Sequence, residues 1–176
     1  MKAVLISIQP KWVEKIANGE KTIEVRKTAP KQVPFKCYIY CTKAKKQDDI
    51  IWAGVCGDRG AWNEHIIGEF VCDKIITVDC DSIAPFNPKT NEYIDEETCL
   101  NRTELIRYTN HRKALGWHIS DLKIYDKPKE LSEFRVSCPT SCENCKNPLY
   151  YECWCEEKGV KVLTRAPQSW QYVEEL

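Results

Sequence analysis

Hydrophobic positions at the start of the chain predict a buried strand followed by a short helix. Residues 3–8 form an apolar run rich in β-branched residues, which is typical of a buried strand. Pro10 suits the first turn of a helix because its missing N–H would be unpaired there, and Gly19 after Asn18 supplies a left-handed stop. The pattern therefore predicts an amphipathic helix over about residues 10–18.

After this helix, polar and apolar residues alternate with a period of two. Residues 21–26 predict a strand whose Ile23 and Val25 face a core, with the intervening polar residues on the opposite face. The same patterns predict a strand over residues 35–42, one long or bent strand over 66–81, a helix over 102–111, and strands over 117–125 and 169–173. Gly68 would permit a bulge or a close backbone approach. Together these elements predict an α+β domain built round a small, largely antiparallel sheet or barrel.

Length and charge narrow the class of protein. The chain has 176 residues, enough for one domain with a sizeable core. It carries 26 Lys and Arg against 26 Asp and Glu, so any binding of nucleic acid must come from a local patch. The basic tracts Lys43–Lys46 and Arg107–Lys113 could contact phosphates or be solvated ends of elements.

The N-terminal apolar run is too short for a signal peptide or a membrane span, which predicts a cytoplasmic protein without a membrane partner.

The predicted strand over residues 21–26 concentrates polar side chains of opposite charge. Lys21 stands at its entrance, and Thr22, Glu24 and Arg26 follow on one face. Two cations and a carboxylate within a few ångströms of one another can clamp a small polar ligand. A solvated sheet face with a cross-strand ion pair is the alternative.

Aromatic residues could supply the stacking half of base recognition. Trp12 is the best placed of them, because it lies on the helix whose end presents Lys21. Its helical spacing fits a core position equally well. Trp12 is therefore a candidate for either role.

The opening of the sequence resembles the ASCH domain family, whose members are related to PUA domains. The resemblance rests on Leu5–Trp12 and Ile16–Lys27, where a helix, a Gly-Glu-Lys-Thr turn and a Glu-x-Arg strand occur in the family's order. Later blocks fit the family's later sheet elements, namely Ile67–Phe70, Trp117–Ile119 and Pro128–Leu131. The likeness covers about residues 1–135.

The resemblance implies a PUA-like β-barrel with short flanking helices. It also implies a cleft between the early helix and the sheet, lined by Lys21, Thr22, Glu24 and Arg26. Family members are thought to bind RNA or modified nucleobases. RNA, a nucleoside or a nucleotide is therefore the ligand that the resemblance implies.

Some members of the family are enzymes, which gives a second interpretation. One branch consists of amidohydrolases that deacylate N-acylated cytidine with a lysine, a threonine and a glutamate, and other members are described as ribonucleases. Lys21 matches the amidohydrolase lysine, but Glu24 stands where that branch has threonine. Thr22 lies two positions away, a shift of about 6–7 Å along a strand, which is too far for the same nucleophile. If the protein is an enzyme, the catalytic residues are Lys21, Glu24 as general base, and Thr22, with Arg26 stabilising negative charge.

A cysteine-rich segment over residues 138–155 predicts a structural zinc site, inserted before the last strand of a single domain over residues 1–176. Its five thiols are Cys138, Cys142, Cys145, Cys153 and Cys155. Tetrahedral zinc needs four thiolates, which two short knuckles can deliver. Redox-active thiols and inert reduced cysteines are the alternatives, and a protein-interaction module built on this segment is a third functional class.

The other cysteines are predicted to be small buried apolar residues: Cys37, Cys41, Cys56, Cys72, Cys80 and Cys99.

Overall fold

The computed structural model describes residues 2–45, 62–138 and 159–174. Within them the elements are β1 (Lys2–Ile8), α1 (Pro10–Ala17), β2 (Ile23–Arg26), β3 (Phe35–Cys41), β4 (Ile66–Cys72), β5 (Ile75–Val78), β6 (Phe86–Asn87), β7 (Glu92–Tyr93), α2 (Asp95–Thr98), α3 (Arg102–Thr109), β8 (Ala114–His118), β9 (Ser120–Lys129), β10 (Arg135–Ser137), β11 (Val160–Val162) and β12 (Trp170–Glu174). None of the described helices is long and apolar enough to cross a bilayer.

A seven-stranded sheet forms the centre of the molecule, in the order β11-β10-β12-β1-β3-β4-β9. β1 pairs parallel with β3 and antiparallel with β12. Its side chains enter two cores, because Val4 and Ile6 pack into the cluster on one face while Ala3 and Leu5 pack into the cluster on the other. A strand buried on both faces needs a continuous apolar run, and this is what the sequence carries here.

A second sheet has three strands in the order β2-β8-β5. Ile23 and Val25 of β2 pack with Leu105 of α3 in a third apolar cluster, which confirms the predicted inward face of this strand. β2 lies at the edge of the sheet and pairs antiparallel with β8. The alternate residues of β2 therefore face away from this cluster.

Two predicted strands are each divided between the two sheets, which corrects the prediction of single continuous strands. The run over residues 66–81 forms β4 in the large sheet and β5 in the small one, with a break at Asp73 and Lys74. The run predicted over residues 117–125 is divided at Ile119 between β8 and β9. Apolar spacing continues through both breaks because each half faces a core, so spacing alone does not reveal them.

The α+β class is confirmed, but the predicted barrel is not closed in the part of the chain that the structure describes. β11 and β9 stand at the two edges of the large sheet and do not pair with each other. The small sheet covers one face of the large sheet instead, where the rings of Phe35 and Trp117 meet edge to face at 5.2 Å. Pro128 lies inside β9, where an edge strand tolerates a proline.

Most of the cysteines outside the clustered segment are buried, as predicted. Cys37, Cys41, Cys72 and Cys80 lie in the apolar clusters. Cys99 corrects the prediction, because it is half-buried at the left-handed end of α2, with a φ of 52°. Cys56 lies outside the described residues.

Candidate functional site

A cavity of about 700 Å³ opens between α1, β2, α3 and the segment that follows β3. Lys11 and Trp12 of α1 form one wall, and residues of α3 form another. Small-molecule sites in proteins typically have volumes of about 300–1,000 Å³. The cavity is therefore large enough for a nucleotide-sized ligand.

Three charged residues from the predicted cluster lie at the base of this cavity. Lys21, Glu24 and Arg26 expose only 2%, 6% and 7% of their surface. The Glu24 carboxylate stands between the two cations, with Oε1 3.0 Å from Arg26 Nη2 and Oε2 3.5 Å from Lys21 Nζ. The alternative of a solvated sheet face is wrong, because all three side chains are buried.

Local structure explains how these charges come together. Glu24 and Arg26 occupy alternate positions of β2, opposite the residues that pack into the third apolar cluster. Lys21 follows Gly19, whose φ of 76° ends the turn after α1. Backbone carbonyls hold both cations, since Lys21 Nζ donates to Thr98 O at 2.5 Å and Arg26 Nη2 donates to Ser7 O at 2.6 Å.

Thr22 is not brought together with the other predicted residues. It is half-buried and does not line the cavity. β2 begins at Ile23, so Thr22 precedes the strand whose alternation was expected to place it beside Glu24. Its backbone N–H donates to Glu97 O, and its carbonyl accepts from the N–H of Ile119.

Burial shifts the protonation equilibria of two residues that line the cavity. Desolvation lowers the pKa of Lys21, and the carboxylate of Glu24 opposes this shift by favouring the charged ammonium. Burial likewise raises the pKa of Tyr108, while the positive charge of the Arg26 guanidinium opposes this shift. Titratable groups perturbed in this way cluster at functional sites, although structural ion networks also produce them.

Trp12 lies both at the cavity and against the core, so its stacking role stays a prediction. It lines the cavity and also packs against two of the apolar clusters. Lys11 Nζ lies 4.0 Å from a ring centroid of Trp12, and Lys21 Nζ lies 5.3 Å from it. The indole is thus fixed against the core while it contributes to the wall of the cavity.

Residues from the two basic tracts of the sequence meet at this one cavity. Lys43 and Lys45 follow β3, and Arg107 belongs to α3. All three side chains are exposed. Tracts that are about 60 residues apart in sequence therefore supply cations to the same rim.

Tyr108 is a cavity residue that the sequence did not identify as functional, because the pattern over residues 102–111 predicts only a helix. It lines the cavity from α3 and is 36% exposed. Lys27 Nζ lies 5.2 Å from its ring centroid. The signal that could have found it is helical spacing, because Glu104, Arg107 and Tyr108 share one polar helix face.

The residues that line the cavity carry a large excess of positive charge. Six are cationic and two are carboxylates: Lys11, Lys21, Arg26, Lys43, Lys45 and Arg107 against Glu24 and Glu104. Lys11 and Glu104 pair at 2.8 Å near the rim. The whole chain has a formal net charge of zero, so the positive charge is local to this cavity.

The predicted zinc site falls almost entirely outside the described residues, which include only Cys138 of its five cysteines. Ser137 pairs with Val160, and the Cys138 N–H donates to Gly159 O at 2.7 Å. β10 and β11 thus hold residues 138 and 159, which flank residues 139–158, close to each other. Across the described ranges, no group of three or more His, Cys, Asp or Glu is arranged to hold a metal ion.

The fold is that of an ASCH-like domain. The chain is similar to the crystal structure of ASCH from Zymomonas mobilis, with a TM-score of 0.58 at 16% identity over 99% of this chain and 89% of that chain. Two structures of point mutants of that protein match at 17% identity, with TM-scores of 0.53 and 0.58, over 99% of this chain and 92% and 89% of theirs. The chain matches no protein-family model, and it matches no curated protein sequence significantly. The resemblance to ASCH domains is therefore confirmed at the level of the fold.

Proposed function

We propose that this protein binds RNA or a nucleotide in the cavity at whose base Lys21, Glu24 and Arg26 lie. The observation that carries the proposal is the local charge: residues lining one cavity have four more positive than negative charges in a chain that is neutral overall. A concentrated positive cavity attracts phosphates, whereas an uncharged metabolite gains nothing from it.

The rim and the base of the cavity carry different polar groups, which supports the binding of a nucleotide in one orientation. The exposed cations Lys43, Lys45 and Arg107 stand at the rim, where a solvated phosphate backbone can reach them. The buried carboxylate and ammonium at the base offer hydrogen bonds to the edge of a base. Trp12 and Tyr108 provide aromatic surface in the same cavity.

Binding of a short single-stranded RNA, followed by fluorescence anisotropy, tests this proposal. The double substitution Lys43→Ala/Lys45→Ala and the single substitution Arg107→Ala should each weaken binding. Each lost phosphate contact should also reduce the slope of log K against log salt by about 0.7. Lys89→Ala is the matched control, because Lys89 is exposed and does not line the cavity. Equal affinity for wild type and both rim variants would contradict the proposal.

Hydrolysis of a nucleoside or RNA is the second candidate function. It is favoured by a lysine whose pKa is lowered by burial, next to a carboxylate at the base of a cavity. Glu24 would serve as general base with Lys21 and Arg26 stabilising negative charge, whereas Thr22 does not line the cavity. Incubation with N-acylated cytidine and with labelled RNA, comparing wild type with Glu24→Gln, tests for turnover. Turnover by wild type that the variant loses would establish the enzyme, and turnover by neither would exclude it for these substrates.

A further inference from the structure

An ion pair between Lys11 and Glu104 joins two walls of the cavity. Lys11 lies in the first turn of α1 and Glu104 in the first turn of α3, with Lys11 Nζ 2.8 Å from Glu104 Oε1. Both residues line the cavity. Their side chains are 50% and 31% exposed, so the pair is open to solvent, unlike the buried charges at the base.

The Glu104 carboxylate is held in place by α3 as well as by Lys11. Its Oε2 accepts a hydrogen bond from the N–H of Asn101 at 3.2 Å, and the Asn101 side chain accepts one from the N–H of Glu104. These two bonds form a capping box at the start of α3. The carboxylate is therefore anchored at the cavity wall independently of its ion pair.

The Lys11 ammonium is not anchored in this way. A cation in the first turn of a helix is opposed by the helix dipole, so its charge does not stabilise α1. The ammonium stands on a flexible four-carbon stem, 4.0 Å from a ring centroid of Trp12. Lys11 can therefore exchange Glu104 for another anion beside the indole.

A phosphate in the cavity would compete with Glu104 for this ammonium. Carboxylates and phosphates accept the same charge-assisted hydrogen bonds from a lysine. The phosphate would also be repelled by the carboxylate, because both are negative. The ion pair thus withdraws one cation from a cavity whose other lining residues are mostly cationic.

We infer that Lys11 is a further phosphate-binding residue of the cavity, and that Glu104 restrains binding by occupying Lys11 in the free protein. This inference rests on the proposed function, because it assumes that a ligand carrying phosphate enters the cavity. It adds Lys11 to the exposed rim cations Lys43, Lys45 and Arg107, and it makes Glu104 a residue that lowers affinity.

Removal of the Glu104 charge tests the inference through a gain in binding. Glu104→Gln keeps the capping box, since glutamine also accepts the Asn101 N–H, but it releases Lys11. Fluorescence anisotropy with a short single-stranded RNA at low salt should show binding about threefold or more tighter than wild type. The slope of log K against log salt should become steeper by about 0.7, for one additional phosphate contact.

Glu20→Gln is the matched control for the change in net charge. Glu20 pairs with Lys15 at 2.9 Å, and neither residue lines the cavity. This variant should keep the affinity and the salt slope of wild type. An equal gain in Glu20→Gln and Glu104→Gln, or no gain in Glu104→Gln, would overturn the inference.

A double-mutant cycle with Lys11→Ala tests whether the gain passes through Lys11. In the Glu104→Gln background, Lys11→Ala should remove the gain, and it should cost at least about twofold more affinity there than in wild type. Equal costs in the two backgrounds would show that the charges act independently and would overturn the inference. If neither wild type nor Glu104→Gln binds the RNA, the proposed binding of RNA fails as well. Binding by wild type without a gain in Glu104→Gln overturns the inference alone.

Discussion

At the scale of the single residue, Glu24 matters most, because its negative charge balances two buried cations. Burying a charge is costly unless an opposite charge accompanies it. Arg26 and Lys21 each contact a different oxygen of this carboxylate. The stability of β2 and the chemistry of the cavity therefore depend on the same side chain.

Glu24→Ala should destabilise the protein by about 3–5 kcal/mol, because it leaves two buried cations without their carboxylate. Urea unfolding followed by circular dichroism measures this loss. Glu20→Ala should leave the free energy of unfolding nearly unchanged, since its ion pair with Lys15 is exposed. Similar values for the two variants would show that the ion network contributes no stability.

Cys41 should make stability fall in alkaline solution. Burial raises the pKa of its thiol from an ordinary value of 9.0 to about 12. Between these values the unfolded chain releases the proton and the folded chain keeps it, so the free energy of unfolding falls by up to about 1.4 kcal/mol per pH unit. Cys41→Ala should reduce this slope in urea titrations between about pH 9 and pH 11.

The control for this pH dependence is Ile39→Val on the same strand. It removes buried volume without removing a titratable group, so it should lower stability equally at each pH. The same slope in wild type and Cys41→Ala would show that the thiol does not contribute to the alkaline loss of stability.

At the scale of elements, Gly68 controls the contact between β4 and β9. The pairing of these strands shifts register between Ile66 and Gly68, where the sequence predicted a bulge or a close backbone approach. A Cβ at position 68 would lie well inside van der Waals contact with the carbonyl oxygen of Lys123. The neighbouring backbone would have to move to accommodate it.

Gly68→Ala should therefore destabilise the protein by about 1–3 kcal/mol, through displacement of β9. Thermal and urea unfolding measure the effect. Lys127→Ala, an exposed substitution on the same strand β9, should stay within about 0.5 kcal/mol of wild type. A Gly68→Ala variant as stable as wild type would mean that the two strands approach less closely than described.

The sequence predicted which segments are helices and which are strands. It did not predict where a segment leaves one sheet and enters the other. Proline at the start and glycine at the end located α1, and alternation located β2 and β3. The division of residues 66–81 into β4 and β5 left no mark in the apolar pattern, because both strands face a core. Which sheet a strand joins depends on partners that are distant in sequence.

At the scale of the whole molecule, the pairing of β10 with β11 holds together the two segments of the chain that flank most of the clustered cysteines.

We propose that these cysteines bind one structural zinc ion. Mass spectrometry of metal content, on protein purified without chelator, should find about one zinc per chain. Cys142→Ser/Cys145→Ser should remove it, and Cys99→Ser should not. Less than about half a zinc per wild-type chain would contradict this proposal.

The sequence by itself determined the α+β class, the short early helix, and the choice of Lys21, Glu24, Arg26 and Trp12 as candidate ligand-binding residues. These features are local, because each depends on the spacing of residues within one or two elements. Only the tertiary structure decided that the large sheet stays open across the described residues, that Thr22 falls outside the cavity, and that Tyr108 belongs to it. It also decided that two distant basic tracts meet at one rim. Contacts of this kind are fixed by packing between elements far apart in the chain, which no local pattern encodes.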